Sequence, residues 1–207
     1  MMLYDVEKLK KELLEMDKQL YYRDLTSSGG GGPSIRIPCY NYDGTKIWTD
    51  KVLMKGWAPR VGLEWIPSYA YLATTDLNGN AIGPEKPLME ANIHLGIYRE
   101  RDDVGAVIHA HAPFLTAFGM ARSRLKEPPG SFFSKIMEAP MTAEAPAGSI
   151  ELANNVVGAF KGNKRKLVLM ENHGCTVVGG DLYDAYFTLD DAEDAAKIFF
   201  FSHMKLE

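Results

Sequence analysis

The sequence predicts a single α/β domain, and three observations carry that expectation. The chain has 207 residues, a length that fits one domain with a substantial core. Its composition, 46% hydrophobic and 24% charged, is that of an ordinary soluble globular protein. Four stretches space their apolar residues as helices do, and short apolar runs bounded by turn signals lie between them.

Residues 5–22 put Val6, Leu9, Leu13 and Leu20 on one helix face, with Asp5 as the N-cap. The helix breaks in TSSGGGGPS, where successive glycines reach conformations closed to other residues, and SIRIP at 34–38 reads as a strand. From 40 to 85, short extended runs alternate with the turn signals YDGT, KGWAPRVG and LNGN. The last holds a hairpin-type Asn-Gly, so several antiparallel strands are expected. KPLMEANIHLGIYRE at 86–100, with Leu88, Ile93, Leu95 and Ile97 apolar, reads as a helix, and VGAVIHAHA after the RDD turn reads as a strand. The Pro- and Gly-rich segment 121–149 has no clear assignment. IELANNVVGAFKG reads as a helix ending at Gly162, and KLVLM and CTVVGG as strands flanking ENHG. Residues 181–204 open on Asp181 as a cap and repeat Leu182, Ala185, Tyr186, Leu189 and Ala192, a long amphipathic helix.

The formal net charge is only -4. The single basic cluster, GNKRKL at 162–167, reads as a solvated turn before a strand, too small for a nucleic-acid footprint. Cys39 and Cys175 lie far apart without CxxC spacing, so free thiols in a reducing cytoplasm are expected. MMLYDVEKLKKELLEMD is too charged for a secretory segment, and no apolar run approaches the roughly 18 residues of a membrane span. A small-molecule substrate is the remaining class of partner.

Two of the five histidines stand one residue apart in GAVIHAHAPF. Strand alternation points His109 and His111 to the same side, where both imidazoles can meet one ion. The plain alternative is one core histidine and one surface histidine. An open zinc site takes three protein ligands, and His173, in the turn between two apolar strands with Gly174 after it to let the backbone bend tightly, is the third candidate; an ordinary turn residue is the alternative. Glu90, just before the HAH strand and among Leu88, Met89, Ala91 and Ile93, is a candidate ligand and general base, since apolar surroundings raise a carboxyl pKa. A solvated helix glutamate is its alternative. His94 shares the helix face of Glu90 and reads as packing or support, and His203 as a partner of the last helix's dipole or of solvent.

The Gly-rich loop into SIR, the DLNGN turn, Glu90 with His94 before IYRERDDVGAVIHAH, then ENHG and a long terminal helix together resemble the class II aldolase and adducin-head family, from about residue 8 to 204. The resemblance implies a three-layer α/β/α sandwich around a mostly antiparallel central sheet, and homotetramers with sites at subunit interfaces. It implies His109, His111 and His173 as ligands of a divalent metal, zinc foremost with manganese, cobalt or iron as alternatives. Glu90 is implied as the residue that moves protons and can touch the metal. The implied activity is lyase cleavage of a carbon–carbon bond through a metal-stabilised enediolate. Decarboxylation of a hydroxy or keto acid, or sugar-phosphate epimerisation, would use the same site; a non-catalytic adducin-like domain is an alternative of a different class.

The family's phosphate pocket corresponds here to Gly32, Lys55 with Gly56, and Leu88 with Met89. Gly31, Gly32, Lys55 and Gly56 are therefore the expected substrate-binding positions. Leu88 and Met89 replace two serines and disfavour an anion. The expected substrate is unphosphorylated or carboxylate-bearing, or is held by an anion nest at Gly29–Gly32 with Lys55 or Arg36. Either cation could instead be a surface ion-pair partner. The family's accessory tyrosines have no counterpart in 121–149, which offers Phe132 and Phe133, or before Glu207, so the second acid stays open. No GxSxG elbow is present, and the glycines lead into a strand rather than a helix, against a dinucleotide or P-loop site.

Overall fold

The computed structural model describes residues 2–3, 5–26, 30–57, 71–120 and 139–203. In chain order the first elements are β1 (Met2–Leu3), α1 (Val6–Tyr22), β2 (Gly32–Tyr40), β3 (Lys46–Lys55), β4 (Leu72–Asp76), α2 (Ala91–Glu100) and β5 (Ala106–Ala110). There follow α3 (Pro113–Met120), β6 (Met141–Thr142), α4 (Ile150–Phe160), β7 (Leu167–Met170), β8 (Gly174–Gly179) and α5 (Leu182–His203).

Local signals account for most boundaries. The Asp5 carboxylate accepts from the N–H groups of Glu7 and Lys8 and starts α1. Leu9, Leu13 and Leu20 are buried as the spacing predicts, each contributing about 1.5–3 kcal/mol, whereas Val6 in the first turn is exposed. Ser149 caps α4, and the Asp181 carboxylate accepts from Asp184 N–H at the start of α5. The LNGN turn closes as expected: the Asp76 carboxylate accepts from Asn78 and Asn80 N–H, and Thr75 bridges Ala81.

The helix expected over 86–100 is shorter, and its missing start has a physical cause. Lys86–Leu88 lies against the end of β3: Trp57 N–H donates to Lys86 C=O at 2.8 Å and Leu88 N–H to Lys55 C=O at 3.1 Å. Pro87 bridges Gly56, so this stretch spends its backbone on the sheet and Glu90 becomes the N-cap of α2. β2 exceeds SIRIP at both ends, because Gly32–Ile35 pair with β5 and Pro38–Tyr40 with β3. Neither α3 nor β6 was expected.

Eight strands form one sheet, ordered β4-β3-β2-β5-β8-β7-β6 with β1 paired to β2. Every pairing is antiparallel except β6 with β7. Alternate strand residues face two cores. Ile35, Leu53, Ile108 and Val177 pack with α1, α3 and α5, while Val52, Val107, Val168 and Val178 pack with α2 and α4. This is the three-layer α/β/α sandwich. Among the described residues no helix is long and apolar enough to cross a membrane. Cys39 and Cys175 are buried and unpaired with each other. The basic cluster is a solvated turn: Lys164 pairs Asp103 at 3.1 Å and Lys166 pairs Asp184 at 2.6 Å, exposed contacts worth little individually.

Candidate metal centre

The middle of the sheet carries the cluster. His109, 0% exposed, is in register with Gly32 of β2 and Thr176 of β8. Its Nδ1 lies 3.0 Å from the Cys175 carbonyl oxygen. A carbonyl only accepts, so His109 donates from Nδ1 and leaves the Nε2 lone pair facing the site. His111 stands one residue past β5, partly buried, with Nε2 3.1 Å from His109 Nε2.

His173 arrives from the β7–β8 turn. Its N–H donates to the Met170 carbonyl at 3.1 Å, and Asn172 supplies the left-handed bend at φ 55°. Asn172 Nδ2 donates to Glu144 Oε2 at 2.7 Å and ties the turn down. Gly174 is not the bend residue that its position implied. Glycine is needed there because a Cβ would collide with the Ala110 carbonyl oxygen of β5, and that close approach carries His173 toward His109. One ligand atom from each of His109, His111 and His173 lies within 4.8 Å of the others.

All three imidazoles are held below the ordinary histidine range. Burial is the first cause in each case; at His109 the charges of His111 and His173 add to it, and at His111 those of His173 and Lys55. Neutral imidazoles with one tautomer already fixed are the donor set that a borderline divalent ion takes. Glu90 Oε1 is 3.8 Å from His173 Nε2, and burial pushes the Glu90 carboxyl upward while its own backbone N–H opposes the shift.

The other expected positions divide. Lys55 is buried at the end of β3 with Nζ 3.3 Å from Asp17 Oδ1 of α1, its methylenes running beside Gly32. Burial outweighs the Lys55 attraction and pushes Asp17 up to about 6. Gly31, at φ 70°, lies against the His109 carbonyl, and Gly56 pairs with Pro87. Leu88 is buried and Met89 is 60% exposed. Arg36 is not at the site. Its guanidinium donates to the Thr49 carbonyl at 3.2 Å and the Tyr98 carbonyl at 3.4 Å and pairs with Asp102, away from the histidines. Gly29, Phe132, Phe133 and the His203 side chain lie outside the described residues.

Sequence reasoning missed Asp17, Ser34 and Glu193. Asp17 had a signal, a charge one turn from both Leu13 and Leu20 on the apolar stripe of α1. Glu193, 2% exposed on α5, accepts from the N–H groups of Phe114 and Leu115 and caps α3, which begins two residues after His111. Its local pattern looks like any helical carboxylate, so no sequence signal marks it.

Comparison with known proteins agrees with the fold. The family model described as Class II Aldolase and Adducin N-terminal domain matches residues 11–200. An L-fuculose phosphate aldolase of Methanococcus maripaludis is 30% identical over 188 residues, spanning 90% of this chain and 93% of that protein. A 3-oxo-tetronate 4-phosphate decarboxylase of Haemophilus influenzae is 27% identical over 200 residues, 92% of this chain and 86% of its own. A solved L-fuculose 1-phosphate aldolase has TM-score 0.78 and 26% identity, covering 97% of this chain and 88% of that one. The chain belongs to the class II aldolase and adducin N-terminal domain family.

Proposed function

We propose that this chain is a divalent-metal-dependent lyase that splits a carbon–carbon bond of a small hydroxy-carbonyl compound. The observation that carries the reading is the meeting of His109, His111 and His173 within 4.8 Å, with the Glu90 carboxyl 3.8 Å from His173. His109, His111 and His173 would hold the ion, with Glu90 able to touch it. When bound, the ion supplies Lewis-acid stabilisation of the enediolate charge that carbon–carbon cleavage leaves. Zinc suits three imidazoles, as do manganese, cobalt and iron.

The chain's own groups do the rest. Glu90 holds a proton more readily than an exposed carboxyl, because burial disfavours its charge. As the carboxylate it can take the proton of the substrate hydroxyl while the carbon–carbon bond breaks, and then, holding that proton readily, deliver it to the carbon that loses its neighbour. Gly31, Gly32, Lys55 and Gly56 form the substrate-binding edge: Gly31 lies against the His109 carbonyl of β5, Gly32 leaves room for the Lys55 side chain, Gly56 lies against the Lys86 carbonyl, and Lys55 supplies positive charge beside His111. Leu88 and Met89 offer no hydroxyl donor next to Glu90, which supports a substrate without phosphate at that spot.

Decarboxylation on the same site is the second reading. It is favoured by the Haemophilus influenzae relative and needs only one proton delivered to carbon, a task within reach of Glu90 alone. A homotetramer with sites at subunit borders, and a cytoplasmic setting for the free thiols, complete the proposal. A metal-reconstituted screen over aldehyde donors, hydroxy acids and sugar phosphates tests it. Turnover that requires added metal and collapses in Glu90→Gln supports the reading. Absence of bound metal, with no gain on adding zinc, manganese or cobalt, would favour an adducin-like scaffold.

A further inference from the structure

Beneath the histidine cluster lies a second polar layer that the proposed chemistry leaves unused. Ser34, His94 and Tyr98 are each 0% exposed. Ser34 Oγ is 2.7 Å from His94 Nδ1 and 2.8 Å from the Tyr98 hydroxyl. Strand alternation puts Ser34 on the same face of β2 as Gly32, and Val107 on the same face of β5 as His109. His94 stands one helical turn after Glu90. The layer therefore follows the site residue by residue.

One arrangement gives both hydroxyl protons an acceptor: Tyr98 donates to Ser34, and Ser34 donates to His94 Nδ1. Burial holds His94 down to about 3. The imidazole is neutral at ordinary pH, and in that arrangement its one proton is on Nε2. Among the described residues that Nε2 has no hydrogen-bond partner. A buried donor left unpaired costs about 1–3 kcal/mol, so stability alone gives no reason to keep this layer rather than apolar side chains. Helical side chains lean toward the N-terminus of their helix, which carries the His94 N–H back toward Glu90 at the start of α2.

We propose that His94 is a positioning residue for Glu90, its Nε2–H being the donor that receives the carboxylate when it turns away from His173. Glu90 then moves between two defined partners rather than between one partner and water. This rests on the reading of Glu90 as the proton-moving group.

Histidine-labelled 15N NMR of the full chain tests the tautomer directly. With five histidines, the His94 signals are identified in the parent by their through-space contact with Ser34. An Nε2–H tautomer is expected, and an Nδ1–H tautomer overturns the proposal even if no variant folds. In kinetics, His94→Phe is expected to lower kcat on the order of 10²-fold with KM and metal affinity unchanged. His94→Gln, which keeps an N–H near the same point, is expected to restore most of that loss. Equal damage in both variants, or an unimpaired His94→Phe, overturns the proposal. A fully active Glu90→Gln overturns the parent reading instead, whereas an inactive Glu90→Gln beside an unimpaired His94→Phe removes only this inference.

Discussion

His109 Nε2 and His111 Nε2 lie 3.1 Å apart, and His109 can only accept between them because its Nδ1 proton is committed to the Cys175 carbonyl. His111 must therefore donate its Nε2 proton. A divalent ion that replaces this proton gains two lone pairs, and the third donor, His173, already stands within 4.8 Å of both.

From that relationship, added zinc or cobalt is expected to raise Tm, since an ion that binds only the folded chain stabilises it by mass action. His109→Gln removes the ligand whose orientation the sheet fixes. Metal affinity is expected to fall more than about 100-fold, beyond the usual cost of losing only a supporting hydrogen bond. Competition against a chromophoric chelator measures it; equal affinity in the two proteins would remove His109 from the centre.

Glu90→Gln separates chemistry from folding. The neutral amide keeps the shape but cannot move a proton, and kcat is expected to fall about 10²–10⁴-fold. Burial already disfavours the Glu90 charge, so the variant is expected to melt no lower than the parent. Steady-state kinetics and thermal unfolding on the same preparations check both halves.

Acid stability should report on His94. Above about pH 6.5 His94 is neutral in both folded and unfolded chains and contributes no pH dependence. As pH falls below that value the unfolded chain takes up a proton at His94, while the folded chain does not until about pH 3. Stability is therefore lost on acidification across that window, by roughly 3 kcal/mol at pH 4 from this residue. Urea unfolding at pH 7 and pH 4 is expected to show a smaller drop for His94→Gln than for the parent. An identical drop would mean that His94 titrates normally in the folded chain.

Much of this centre was legible in the sequence because strand alternation and turn chemistry are local rules. The pairing of His109 with His111 needed only a two-residue period, and the place of His173 only two apolar runs around ENHG. The position of Glu90 was less legible. Whether 86–90 coils or lies along the sheet depends on the Lys55 and Trp57 backbone, some thirty residues earlier. Asp17 carried a local sign, its place on the apolar stripe of α1, but Ser34 and Glu193 are set by tertiary contact, and a buried carboxylate capping another helix looks in sequence like a solvated one. Arg36 was open between a substrate cation and an ion-pair partner, and contacts from three separate segments, Thr49, Tyr98 and Asp102, decide for the second.

Gly31→Ala tests how much the site depends on the closeness of β2 and β5. Gly31 sits at φ 70°, and a Cβ there would meet the His109 carbonyl. That carbonyl belongs to the middle strand of the sheet and cannot yield as the tip of a side chain would. Backbone strain and overpacking together are expected to cost about 2–5 kcal/mol. Gly44→Ala is the control, because Gly44 has φ 84° with nothing within 4 Å of an added Cβ. It carries the left-handed strain alone, about 1–2 kcal/mol. Denaturant unfolding of both variants isolates the cost of the close approach, and chelator competition shows where it falls. Weakened metal binding in Gly31→Ala but not in Gly44→Ala is expected, since only the first displaces the strand that carries His109. Equal stability loss and equal metal affinity in the two would mean that β2 can withdraw from β5 without moving the centre.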